Sequence, residues 1–186
     1  MSSYCSAKIV VLTGSPRRKG NSFAMTEAFI KAAEAKGHSV KRFDTAFMDI
    51  GYCHACMTCY KKGQPCSFKS DFNGAMADAI LEADAIVFTT PVYWYSIPAQ
   101  LKAAIDKMFA FVVGEKDFSG KECALIACCE EDDQAVLDGV RLPIERTAAL
   151  NGWTMVGSVC VGGVMEIGDI DKTDGSAQAA ALAEKF

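Results

Sequence analysis

The sequence predicts a doubly wound α/β fold: a parallel sheet of five strands in the order 2-1-3-4-5, with helices on both faces. Three observations carry that expectation. Short apolar runs alternate with amphipathic stretches along the whole chain. The first run is continuous rather than alternating, as a strand buried on both faces would be. The 186 residues hold no repeat, linker or low-complexity stretch, so 1–186 reads as one domain. Right-handed crossovers then leave 2-1-3-4-5 as the simplest order.

Ile9-Val10-Val11-Leu12 is the first strand, closed by Gly14. Asn21 or Ser22 can cap the next helix, whose apolar positions include Met25, Ala28, Phe29 and Ala32, and Gly37 stops it. His38 to Phe43 reads as a shorter strand with His38 at the surface. A cysteine-rich loop follows over about 44–70. Asp71 opens a helix with Phe72, Met76, Ala79, Ile80 and Ala83 on one face. Ala85 to Thr89 is the third strand. Ser96 can cap the following helix, with Pro98 in its first turn and Leu101, Ala104, Ile105, Met108 and Val112 as its stripe. Cys123 to Cys128 is the fourth strand, Asp132 to Leu150 a helix, Thr154 to Val161 the fifth strand, and Gly175 to Phe186 a closing helix.

Composition narrows the function. The net charge is −4 and the basic residues are scattered apart from Arg17-Arg18-Lys19, so nucleic acid is not an expected partner. The apolar run at Ile9 to Leu12 is too short for a signal segment or a membrane span, and a soluble cytoplasmic protein is expected. Glu34 and Asp78 read as solvated helix positions.

Two loops fall at expected strand ends. Gly14-Ser15-Pro16-Arg17-Arg18-Lys19-Gly20-Asn21-Ser22 offers N–H groups at a helix N-terminus, hydroxyl and amide donors, and arginine charge. It lacks G-x-G-x-x-G, so one terminal phosphate fits it better than a pyrophosphate. An ordinary βα turn is the plainer alternative. Pro91-Val92-Tyr93-Trp94-Tyr95-Ser96-Ile97-Pro98 holds three consecutive aromatics that period-2 burial cannot all place in a core. They can border a planar ring, or else form a corner or a protein interface. Together the loops ask for a phosphorylated aromatic cofactor, and a flavin meets that description.

Gly14 to Arg17 with Gly20-Asn21-Ser22, and Pro91 through Ala99-Gln100-Leu101-Lys102, resemble the flavodoxin-like NAD(P)H-dependent FMN reductases. The likeness covers nearly the whole chain. It implies a flavodoxin-like fold and FMN, with Ser15, Arg17, Asn21 and Ser22 at the phosphate and Pro91, Val92, Tyr93, Trp94 and Tyr95 along the ring. It also implies NAD(P)H as donor, a third flavin loop at Cys128-Cys129-Glu130-Glu131, and a homodimer or homotetramer.

Nine cysteines are many for this length. Cys53-x2-Cys56-x2-Cys59-x6-Cys66 could wrap a cubane, with three corners from the close triplet and the fourth from farther on. Zinc generally takes two separated knuckles. Reduced thiols or a reversible disulfide stay open as alternatives. The motif resembles that of the iron-sulfur flavoproteins, a branch of the same family, which implies a [4Fe-4S] cluster. Cys123, Cys128, Cys129 and Cys160 read as small buried hydrophobes, and Cys5 as part of a loose terminus. His38 and His54 form no nucleophile–base constellation, so no catalytic side chain is named. A flavin carries its own hydride chemistry.

The expected function is an FMN-dependent oxidoreductase passing reducing equivalents from NAD(P)H or a redox protein to an acceptor. Two alternatives stand beside it. One is an iron-sulfur flavoprotein moving single electrons between cluster and FMN; the other is a non-enzymatic flavodoxin-type carrier.

Overall fold

A computed structural model describes residues 6–186, so Cys5 lies outside the described residues. The strands β1 (Lys8–Thr13), β2 (Ser39–Asp44), β3 (Ala85–Pro91), β4 (Glu122–Cys128) and β5 (Thr154–Val161) form one sheet. Their order is β2-β1-β3-β4-β5 and every pairing is parallel, as the alternation predicts. Along β1 the side chains divide with period 2. Val10 and Leu12 join Ile86, Phe88 and Leu125 on one face, while Ile9 and Val11 join Val87 and Ile126 on the other.

The second of these faces is covered by α1 (Asn21–Ala35) and α6 (Gly175–Leu182), through Met25, Phe29 and Ala179. The first is covered by α2 (Ala77–Glu82), α3 (Ala99–Lys107), α4 (Phe109–Val113) and α5 (Asp138–Leu150). Trp153 lies beneath this layer, its indole N–H donating to the Phe118 carbonyl at 2.6 Å.

Several helix boundaries differ from expectation for identifiable reasons. The helix expected from Asp71 is broken at Asn73 and Gly74, and regular α2 begins only at Ala77. The Asn73 amide bonds the backbone of Cys66 and Phe68 instead, competing with helical continuation. Gly20, not Asn21 or Ser22, is the N-cap of α1. Ser96 caps nothing; its backbone pairs with Tyr93, and α3 starts after Pro98. The stripe ending in Val112 divides at Met108 into two helices, leaving Val112 54% exposed. A 3-10 turn over Gln134–Leu137 precedes α5.

His38 is buried rather than at the surface, 5% exposed, with Nδ1 accepting from the Ala7 N–H at 3.1 Å. Buried Lys121 donates to the Leu81 and Ala83 carbonyls at 3.0 and 2.6 Å, which closes the C-terminus of α2. No helix among the described residues is long and apolar enough to cross a membrane.

Candidate functional site

The carboxyl ends of β1, β3 and β4 open into a cavity of about 740 Å³, within the size range of small-molecule sites. All nine residues expected to hold a flavin line it, from Ser15 to Ser22 on one side and from Pro91 to Tyr95 on the other.

The first loop is fixed from below. A Cβ at Gly14 would stand 2.8 Å from Thr90 Oγ1, so only glycine allows this approach to β3. Gln100 of α3 donates to the Gly14 carbonyl at 2.6 Å. Ser15 is buried and its Oγ accepts from the Arg17 N–H at 3.1 Å. Arg17 lines the cavity, whereas Arg18 turns to Asp44 and lies over the Phe47 ring.

Asn21 departs from expectation. Its Nδ2 donates to the Glu166 carbonyl at 3.0 Å and its Oδ1 accepts from the Gly168 and Ile170 N–H groups. The side chain therefore fastens the loop after β5, which leaves its second Nδ2–H and its backbone N–H at the start of α1 to meet an anion.

The aromatic loop is a tight turn. Tyr93 and Ser96 exchange backbone bonds of 3.0 Å, while Trp94 and Tyr95 hold φ of 50° and 59°. Left-handed backbone at non-glycine residues costs on the order of 1 kcal/mol or more each and persists where the surroundings enforce it. One enforcing contact is Gly139, where a Cβ would lie 1.7 Å from the Tyr95 carbonyl oxygen. The turn leaves Trp94 96% exposed.

The third loop adjoins it. Glu131 interacts with Tyr95 by charge and by a side-chain hydrogen bond, holding the phenol's pKa above its usual value. Val92 N–H donates to the Cys128 carbonyl at 2.9 Å. Burial pushes the Cys128 thiol up to about 12, so it is neutral at ordinary pH, and burial also raises Cys129. Neither has the lowered pKa of a nucleophile. Sequence reasoning missed Val136, Val164, Met165 and Ile167, which close the far side. No local motif singled them out: Val136 falls within the helix expected over 132–150 and the other three follow the fifth strand.

The cysteine loop is a separate construction. Cys53, Cys56, Cys59 and Cys66 surround one small void of about 20 Å³, together with His54, Phe68, Lys107 and Phe109. Ala55, Met57 and Tyr60 all have positive φ, a strained path for three non-glycine residues in one loop. Tyr60 anchors the loop by packing its ring on Gly114, where a Cβ would come within 2.2 Å. His54 stacks on Phe68 with ring centroids 4.2 Å apart.

Hydrogen bonds from the Thr58 hydroxyl and then its backbone lower the pKa of the exposed Cys56 thiol. Burial raises that of Cys59. All eight described cysteines are free thiols. Among the described residues no three Cys, His, Asp or Glu groups converge to hold one metal ion. A single zinc needs its sulfurs about 2.3 Å from one point, whereas cysteines around a cluster bind different irons. The donor set thus fits a cluster better than one ion.

The fold and the placement of these loops define a flavodoxin-like α/β protein with a cofactor-sized cavity at the strand ends. The family model for NADPH-dependent FMN reductases matches residues 7–158, and the chain belongs to that family. It is an FMN-dependent oxidoreductase. An iron-sulfur flavoprotein of Archaeoglobus fulgidus is 31% identical over 188 aligned positions, covering 96% of this chain and 80% of the relative. A second from that organism is 36% identical over 110 positions, covering 59% of this chain and 55% of the relative. The azoreductase of Bacillus anthracis shares the fold at a TM-score of 0.71, with 21% identity and coverage of 97% of this chain and all of that one.

Proposed function

We propose that residues 1–186 form one domain that binds FMN in the strand-end cavity and passes reducing equivalents from NAD(P)H or a redox protein to an acceptor. The observation that carries this reading is the cavity of about 740 Å³ bounded by a donor-rich loop and an aromatic loop. Ser15, Arg17, Ser22 and the opening N–H groups of α1, including that of Asn21, would hold the phosphate. Pro91, Val92, Tyr93, Trp94 and Tyr95 would border the ring. Bound FMN supplies the hydride and electron chemistry. The neutral Cys128 thiol and the Tyr95–Glu131 pair place no nucleophile beside it.

Cys53, Cys56, Cys59 and Cys66 would hold a [4Fe-4S] cluster, supported by their shared void, the strained backbone and the names of the relatives. Exposed Trp94, Met165 and Ile167 at the cavity mouth support a homodimer or homotetramer with its interface there. The cytoplasm is the expected compartment.

An absorption spectrum of anaerobically purified protein, with iron and sulfide analysis, tests both cofactors at once. The expected result is one FMN and about four irons and four sulfides per chain, since a four-cysteine site can hold such a cluster. Absence of flavin overturns the first reading. Stoichiometric flavin without iron after reconstitution leaves a plain FMN reductase with structural cysteines. Mixing with NADH or NADPH then separates a reductase from a one-electron carrier by the speed of flavin bleaching.

A further inference from the structure

We infer that Lys107 is the buried counter-charge of the four-cysteine site, a positioning residue that anchors Cys66 and raises the reduction potential of the cluster held there. The inference rests on the cluster reading given above.

The two buried lysines make the case by contrast. Lys121 is 6% exposed and donates to two backbone carbonyls, Leu81 and Ala83, as a helix-closing residue would. Lys107 is more deeply buried at 4%, and its Nζ has one hydrogen-bond acceptor among the described residues, Cys66 Sγ at 3.2 Å. It forms no ion pair with a carboxylate among those residues. An ammonium carries three donors and is costly to bury without an anion. Here it lines the void shared by all four cysteines, and among the described residues a sulfur is what answers it. Thiolates gathered around a cluster supply the missing negative charge. Hydrogen bonds to sulfur and the net charge nearby are among the factors that set a cluster's potential.

The geometry is also fixed. Lys107 is the last residue of α3, whose Leu101 and Ala104 are fully buried, so the ammonium projects from a rigid element rather than from the loop. Asn73 holds Cys66 from the other side through its backbone N–H and carbonyl. Cys66 is thus held by Asn73, Gln64 and Lys107, whereas the Cys56 thiol meets Thr58. A positive charge in contact with the site favours its more negative, one-electron-reduced form.

The test uses the full chain, reconstituted under inert gas, as wild type and as Lys107→Met, Lys107→Gln and Lys107→Arg. Iron, sulfide and FMN are counted, and the cluster's midpoint potential is followed by paramagnetic resonance during titration with a one-electron chemical reductant. The neutral variants should keep FMN and shift the cluster to more negative potential by at least tenfold in the reduction equilibrium, about 59 mV for one electron. Lys107→Arg should stay close to wild type. Iron loss in both neutral variants, with FMN retained and Arg restoring the iron, would also support the anchoring role; if Lys107→Met fails to fold, Lys107→Gln carries the comparison.

An unchanged potential in either neutral variant overturns the inference while leaving the cluster reading intact. So does loss of FMN together with iron in all three variants, which would make Lys107 a plain folding residue. Wild-type protein that takes up no iron overturns both readings together.

Discussion

The strand-end cavity takes its walls from loops that leave buried strands within a few residues, whereas the cysteine loop occupies the long stretch between Asp44 and Ala77 with no strand inside it. Close approaches of glycine backbone hold the first: Gly14 against the Thr90 hydroxyl, Gly139 against the Tyr95 carbonyl, Gly162 against the Glu131 carbonyl. Single side chains tether the second: Asn73, Lys107 and Tyr60. Backbone contacts leave little room to adapt, while tethers do. One site is therefore shaped before its cofactor arrives, and the other can be completed by what it binds.

Cys59→Ser should break the comparison most completely. It should abolish iron uptake while leaving FMN stoichiometry unchanged, read by metal analysis and flavin absorbance. Parallel loss of flavin would show that the two sites are not independent.

Alkaline titration should produce the next largest effect. Burial raises Cys123 and Cys128 to about 12 and Cys160 to about 11, from 9.0. The unfolded chain loses these protons first, so their contribution is intact below pH 9 and is lost as pH rises toward 11–12. Each thiol accounts for at most roughly 1.4 kcal/mol per pH unit in that window. Urea unfolding at pH 8 and 10 measures the loss. Iodoacetamide at pH 8 on metal-free protein should label Cys56 before Cys128, because only Cys56 is both exposed and lowered.

Gly139→Ala should sharpen the contrast, since its new methyl would meet the Tyr95 carbonyl. Overpacking of this kind costs about 1–3 kcal/mol. Flavin affinity should fall, as fluorescence titration would show, with iron uptake preserved. Ser22→Ala should weaken FMN by on the order of 1 kcal/mol, more if the lost bond is charge-assisted, and FAD should bind less tightly than FMN throughout. The smallest change is expected from His38→Ala and His54→Ala. Stopped-flow hydride transfer should remain within about tenfold of wild type, because neither histidine lines the strand-end cavity.

The strands were legible because continuous apolar runs leave few alternatives, and β5 begins and ends where the pattern places it. Helix ends were less so. Asn73 left the helix for a backbone 7 residues away, and Ser96 served a turn rather than a cap; both are decided by tertiary partners. All nine flavin-loop residues reached the cavity, but the Asn21 amide was claimed by residues more than 140 positions downstream. Met165 and Ile167 came from beyond the fifth strand, where no local signal pointed to a ligand. Lys107 resembled any solvated lysine until the fold laid the cysteine loop over it.

The exposure of Trp94 has an optical consequence. The chain has two tryptophans, and the other, Trp153, is 5% exposed and hydrogen-bonded in the interior. Emission from the cavity rim should therefore be red-shifted and quenched by acrylamide, while interior emission stays blue and protected. With Trp153 as an internal reference, the red component would report flavin docking, or burial of the rim by another chain, without any attached dye.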